Sequence, residues 1–137
     1  MGSWYTIGAT LGASVGLGVL LAGLFGPTRK GLVGALAIGI ALTVAFGLGL
    51  ATAVLIACTI GVAVGVLSGY VVVQGALRRG GTRLGVAGFM TIGGLLLMLV
   101  AGIPAAGYLV AVGVPLYAAR IRLRQPARFA GLRSLGK

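Results

Sequence analysis

The chain has 137 residues, of which 59% are hydrophobic and 8% charged, and its mean hydropathy is +1.17. All eleven charged residues are Lys or Arg, and the sequence contains no Asp, Glu or His. This composition excludes an ordinary soluble domain, and it removes the usual general acids, general bases and metal ligands. We therefore expect an all-α integral membrane protein that is not an enzyme, with no catalytic residues, no metal site and no cofactor.

The distribution of charge identifies the expected partner. A net charge of +11 would ordinarily indicate nucleic acid. Here the cations lie in short segments between long apolar runs, which is the pattern of the positive-inside rule. We therefore expect anionic membrane lipids, and no nucleic acid, as partners of the basic segments.

The first apolar run predicts a membrane span over residues 5–25. It is long enough to cross a hydrocarbon core, which takes about 20 helical residues, and too long for the apolar region of a signal peptide. The residues before it carry no positive side chain. We expect a retained helix, with Trp4 and Tyr5 as anchors at the membrane interface.

The next uncharged run, residues 31–77, is too long for a single span and predicts a hairpin. Clustered glycines favour a tight connection, so the turn is expected near Gly47, Leu48 and Gly49. The two spans are then residues 32–48 and 50–73.

A further uncharged run, residues 84–119, has its natural break at Gly102, Ile103 and Pro104. The break leaves spans over residues 85–101 and 105–119, which at about 24 Å each are short for a full crossing. A re-entrant hairpin is the alternative. Flanking Arg side chains can extend to the interface, so we favour two short spans.

The last segment, residues 120–137, is a basic tail that we expect to be interrupted at Pro126. It follows a transmembrane domain over residues 1–119. Because two hairpins separate the three basic segments, all three are expected on one side of the membrane, the cytoplasmic side of a bacterial-type inner membrane. The N-terminus is then outside. The tail is expected to bind anionic lipid, or alternatively an acidic partner or a connection to a further domain. Its six cations are Arg120, Arg122, Arg124, Arg128, Arg133 and Lys137.

An internal repeat connects the first two basic segments. Residues 26–34 and residues 80–88 both read Gly-x-Thr-Arg-x-Gly-x-x-Gly, at an offset of 54 residues. The repeat predicts two helix–loop–helix units related by an axis along the membrane normal, with a fifth helix added. Chance similarity is the alternative, since 27 of the 137 residues are Gly.

Two helices carry glycines at four-residue spacing. Such a stripe leaves one helix face without side chains, so that a neighbouring backbone can approach closely inside lipid. The stripes are expected to pack the five helices together, or alternatively to serve self-assembly, docking into a larger complex, or the lining of a pore. The six glycines are Gly8, Gly12, Gly16, Gly61, Gly65 and Gly69.

The repeated loops also contain a candidate site for lipid headgroups. Thr28 and Thr82 each precede a predicted helix, where Thr is a good N-cap. Arg29, Lys30 and Arg83 stand beside those helix N-termini and could bind a phosphate. The alternative is that the threonines only cap and the cations only fix topology.

Two functions are compatible with these features. The first is a non-catalytic scaffold or accessory membrane subunit that packs through its glycine stripes as a homo-oligomer or within a larger complex. The second is a small oligomeric protein for transport, pore formation or lipid translocation, with a pathway between protomers. Membrane-embedded ionisable residues, which proton and cation pathways need, are lacking.

Overall fold

The computed structural model describes residues 2–26, 28–49, 51–103 and 105–135, with side chains described up to residue 124. Within these ranges the chain forms five α-helices and no strand. All five are long and apolar enough to cross a membrane, which confirms the predicted all-α membrane bundle. The helices are α1 (Gly2–Phe25), α2 (Arg29–Gly47), α3 (Thr52–Arg78), α4 (Arg83–Ala101) and α5 (Ala106–Leu135).

Helix α1 lies at the centre of the bundle and contacts each of the other four helices. Its principal neighbour is α3, followed by α4. One apolar cluster joins α1, α3 and α4, and a second joins α1, α2 and α3. The first contains Val19, Val73, Val86 and Met90, and the second contains Leu21, Ala35, Val62 and Val66.

Helix α4 runs antiparallel to α1 along nearly its whole length. Met90 packs at Gly23 near one end, and Ala101 packs at Gly12 near the other. With 19 residues, α4 spans about 28 Å. The helix begins two residues before the expected span because Thr82 caps it ahead of the apolar run and the first turn includes Arg83.

Helix α5 extends beyond the predicted span and into the basic tail. It has 30 residues and continues through Pro126, so the expected interruption there was wrong. A proline removes one backbone N–H but has a φ compatible with a helix, and the surrounding Ala, Leu and Arg residues favour helix. The side chains of Arg128 and Arg133, and the whole of Lys137, lie outside the described part of the chain.

The predicted turns agree with the observed ones. Helix α2 ends at Gly47 and α3 begins at Thr52, so the first hairpin turns where the glycines indicated. The second hairpin turns between Ala101 and Ala106, a connection that includes Ala105 at a positive φ of 65°. Pro104, assigned to this turn from the sequence, lies outside the described residues.

Candidate functional site

The two repeated loops, here called the first basic elbow (residues 26–34) and the second basic elbow (residues 80–88), have closely similar described backbones. Gly26 and Gly80 both have positive φ, at 73° and 87°. Thr28 and Thr82 are both extended, with ψ of 150° and 148°. The helices that follow each have 19 residues and keep the offset of 54. The sequence repeat is therefore also a repeat of local structure.

Each elbow begins the following helix with a threonine cap. The Thr28 hydroxyl oxygen accepts a hydrogen bond from the Gly31 amide at 3.1 Å. The Thr82 hydroxyl oxygen accepts one from the Gly85 amide at 3.2 Å. The capping predicted for both threonines is therefore present, and it places Arg29 and Arg83 at the first position of their helices.

Each elbow also ends the preceding helix at a glycine, although the two endings differ. The Gly26 amide donates to the Ala22 carbonyl at 3.2 Å, a single bond across the last turn. At the second elbow, Gly80 donates to Leu77 and Gly81 donates to Ala76, which is the Schellman arrangement. The residue after Gly26 is a proline, which has no amide hydrogen for the second bond of that motif.

The two elbows meet at one end of the bundle. A Cβ atom built on Gly26 would lie 3.6 Å from a guanidinium nitrogen of Arg83. The second elbow therefore reaches across α1 to the first. Thr28, Arg29 and Lys30 are exposed beside this contact.

A cleft of about 150 Å³ lies between the elbows, where α1, α3 and α4 converge. Helices α3 and α4 make few contacts with each other, although a short turn connects them. Among the described residues that line the cleft, Arg83 is the one with a charge, and Arg29 and Lys30 are not among them. Its walls include Leu24 from α1 and Gly26 just after it, Val73 and Leu77 from α3, and Arg83 and Ala87 from α4.

The glycine stripe of α1 faces the hairpin formed by α4 and α5. Gly8 contacts the ring of Tyr108, Gly12 lies against Gly107, and Gly16 lies against Gly94. A Cβ on Gly12 would be 2.5 Å from the Cα of Gly107. At Gly12 and Gly16 a side chain is excluded because the backbone of another helix lies directly against the glycine.

The stripe of α3 faces α1 instead. Gly61 lies against Leu11 and Ser14, Gly65 against the backbone of Val15, and Gly69 against Val19 and Ala22. All six stripe glycines therefore contact other helices of the same chain, as the packing interpretation requires. The two stripes match in sequence, but they do not face equivalent partners.

Five hydroxyl groups within the spans are bonded to their own helices. The side chains of Thr10, Ser14, Thr43, Thr59 and Thr91 donate to carbonyls three or four residues earlier, at 2.6–3.1 Å. Across the described residues, no buried side-chain nitrogen or oxygen lacks a hydrogen-bond partner. The few buried polar side chains described within the core are therefore satisfied, as is usual for buried polar groups.

At the opposite end, three aromatic residues join α1 to the second hairpin. The Tyr108 hydroxyl donates to the Trp4 carbonyl at 2.7 Å, and the Tyr5 hydroxyl donates to the Gly102 carbonyl at 3.0 Å. The rings of Trp4 and Tyr108 stack with centroids 6.4 Å apart. The sequence predicted Trp4 and Tyr5 as interfacial residues, but it carried no sign of these contacts with the second hairpin.

A comparison of the chain with protein-family models, curated protein sequences and solved structures finds no match.

Proposed function

We propose that this chain is a non-catalytic, multi-pass membrane protein that acts as a scaffold or accessory subunit. Both basic elbows and the C-terminus then face the cytoplasm of a bacterial-type cell, and the N-terminus faces outside. The proposal rests on the composition of the interior. Apolar side chains and glycines form the contacts between helices there, and five hydroxyls bond to their own helices. Catalysis and proton-coupled transport both draw on ionisable groups, and here the charged side chains stand at helix ends and in the tail.

The proposal also specifies which surface meets a partner helix. Because the stripe glycines contact helices of their own chain, a partner would meet the outer faces of α2, α4 or α5. These three helices are the least buried of the described spans, and their outward side chains are largely apolar. The exposed residues include Val33, Val44 and Phe46 on α2, and Phe89, Ile92 and Leu99 on α4.

Mild detergent extraction of a tagged chain, followed by native mass spectrometry, tests the scaffold proposal. We expect a stoichiometric complex, either with a second copy or with a larger membrane protein. The variant Gly93→Leu adds bulk outside the core, since a Cβ there would meet no described atom within 4 Å. It should reduce the complex while the protomer stays folded. A chain that remains a lone protomer at every detergent concentration contradicts the proposal.

Reconstitution into liposomes separates this proposal from the transport alternative. Since the described buried side-chain nitrogens and oxygens all have hydrogen-bond partners, the transport alternative places its pathway between protomers. We expect purified protein neither to release an entrapped dye or anion nor to scramble a labelled lipid. If release or scrambling increases with the amount of protein per liposome, the chain is an oligomeric transport or lipid-translocating protein and not a scaffold.

A further inference from the structure

The cleft between the elbows combines apolar walls with one cation at its edge. Leu24, Val73 and Leu77 supply aliphatic surface, and Arg83 supplies the guanidinium. Leu84 is 88% exposed and lies on the rim, so the cleft opens toward the surroundings of the bundle. We propose that this cleft holds part of one acyl chain of an anionic phospholipid, whose phosphate binds Arg83.

The charge and the volume of the cleft favour an anionic phospholipid as its occupant. A guanidinium forms paired, charge-assisted hydrogen bonds with a phosphate. The chain has no carboxylate side chain that could pair with Arg83 instead. A volume of about 150 Å³ is too small for a whole lipid but fits a segment of one chain.

The structure also distinguishes the two elbows, which their sequences do not. Both have a capped helix N-terminus with an Arg at its first position. Only the second elbow, among the described residues, puts that Arg on the wall of the cleft. The Arg83 guanidinium lies beside Gly26, where a Cβ would stand at an ordinary contact distance of 3.6 Å. Arg29 is therefore a natural control for Arg83.

In a bilayer the acyl chain gains little from leaving other lipid tails, because those tails are equally apolar. The phosphate–Arg83 contact therefore supplies the affinity, and the cleft fixes the position of the bound lipid. This inference goes beyond the scaffold function, since a scaffold can assemble with or without a bound lipid. It also does not depend on which side of the membrane carries the elbows.

Native mass spectrometry of the full chain with added phosphatidylglycerol or phosphatidylcholine, matched in acyl chains, tests the inference. We expect one phosphatidylglycerol to be retained preferentially, and Arg83→Gln to weaken that binding roughly ten-fold. Arg29→Gln should leave it within about two-fold, as expected for an exposed cation. Ala87→Leu and Ala87→Trp fill the cleft without changing charge and should also reduce retention.

Three results would overturn the inference. Equal losses in Arg83→Gln and Arg29→Gln would indicate attraction to general positive charge. Unchanged lipid retention in both Ala87 variants, with unchanged circular dichroism and melting temperature, would show that the acyl chain does not occupy the cleft. Soluble glycerol phosphate binding as well as phosphatidylglycerol would make the site a simple phosphate site. If Ala87→Trp does not fold, Ala87→Leu decides the second point.

Discussion

Gly16 of α1 and Gly94 of α4 approach so closely that a Cβ on either residue would lie 2.8 Å from the carbonyl oxygen of the other. The relation is reciprocal, so neither helix can accept a side chain at this point unless the other moves. Helix backbones in membranes associate through such close contacts because hydrophobic burial offers no advantage there.

Substitution at this contact should destabilise the bundle. We expect Gly94→Val to lower the free energy of unfolding by about 1–3 kcal/mol or more, because the added methyl groups force α1 and α4 apart. The measurement is a denaturation curve in detergent micelles. Gly93→Val is the matched control, since it changes the same helix where a Cβ meets no described atom within 4 Å. Equal effects of the two variants would show that helix propensity, and not the contact, determines the loss.

The positive φ of the elbow glycines leads to a second prediction. Gly80 has φ of 87° and open space around the position of a Cβ among the described atoms, so backbone strain is the main cost of a side chain there. We expect Gly80→Ala to cost about 1–2 kcal/mol of unfolding free energy, measured by the same denaturation. Gly49→Ala, in the turn between α2 and α3, should have little effect because Gly49 does not have positive φ. A neutral Gly80→Ala would contradict the left-handed conformation.

The local features of the elbows could be predicted from the sequence because their chemistry is local. Threonine before a run of helical residues predicts a cap, and glycine after such a run predicts a helix end. The turn near Gly47 followed from the same kind of signal. Spacing also identified the glycine stripes, since four residues return to the same helix face.

The partners of each stripe could not be predicted in this way. A membrane helix is apolar on its lipid side as well as its core side, so the pattern does not show which face is covered. The stripes of α1 and α3 match in sequence, but α5 occurs once, and the stripe glycines that it contacts are Gly8 and Gly12 of α1. The cleft at Arg83 escaped prediction for a related reason. It depends on three helices that converge with imperfect packing.

The threonine caps give a third prediction. Thr28→Ala and Thr82→Ala should each lower the unfolding free energy by about 1 kcal/mol, because the amides of Gly31 and Gly85 lose their acceptors. Thr28→Ser and Thr82→Ser retain a hydroxyl and should restore most of the loss. Detergent denaturation measures all four variants. If the serine variants are as unstable as the alanine variants, the methyl group and not the hydrogen bond is the stabilising element.

The aromatic contacts opposite the elbows give the last prediction, and Trp4 is its probe because it is the chain's single tryptophan. Tyr108→Phe removes the hydrogen bond to the Trp4 carbonyl but keeps the ring, and should cost about 1 kcal/mol. Trp4 emission should change little in that variant because the stack remains. Tyr108→Ala removes both contacts and also exposes Gly8, so it should shift Trp4 emission and speed amide exchange in the first turns of α1. Tyr117→Phe changes an exposed residue of the same helix and serves as the control. Faster exchange in Tyr117→Phe, or unchanged exchange in Tyr108→Ala, would show that this contact does not hold the start of α1 against the second hairpin.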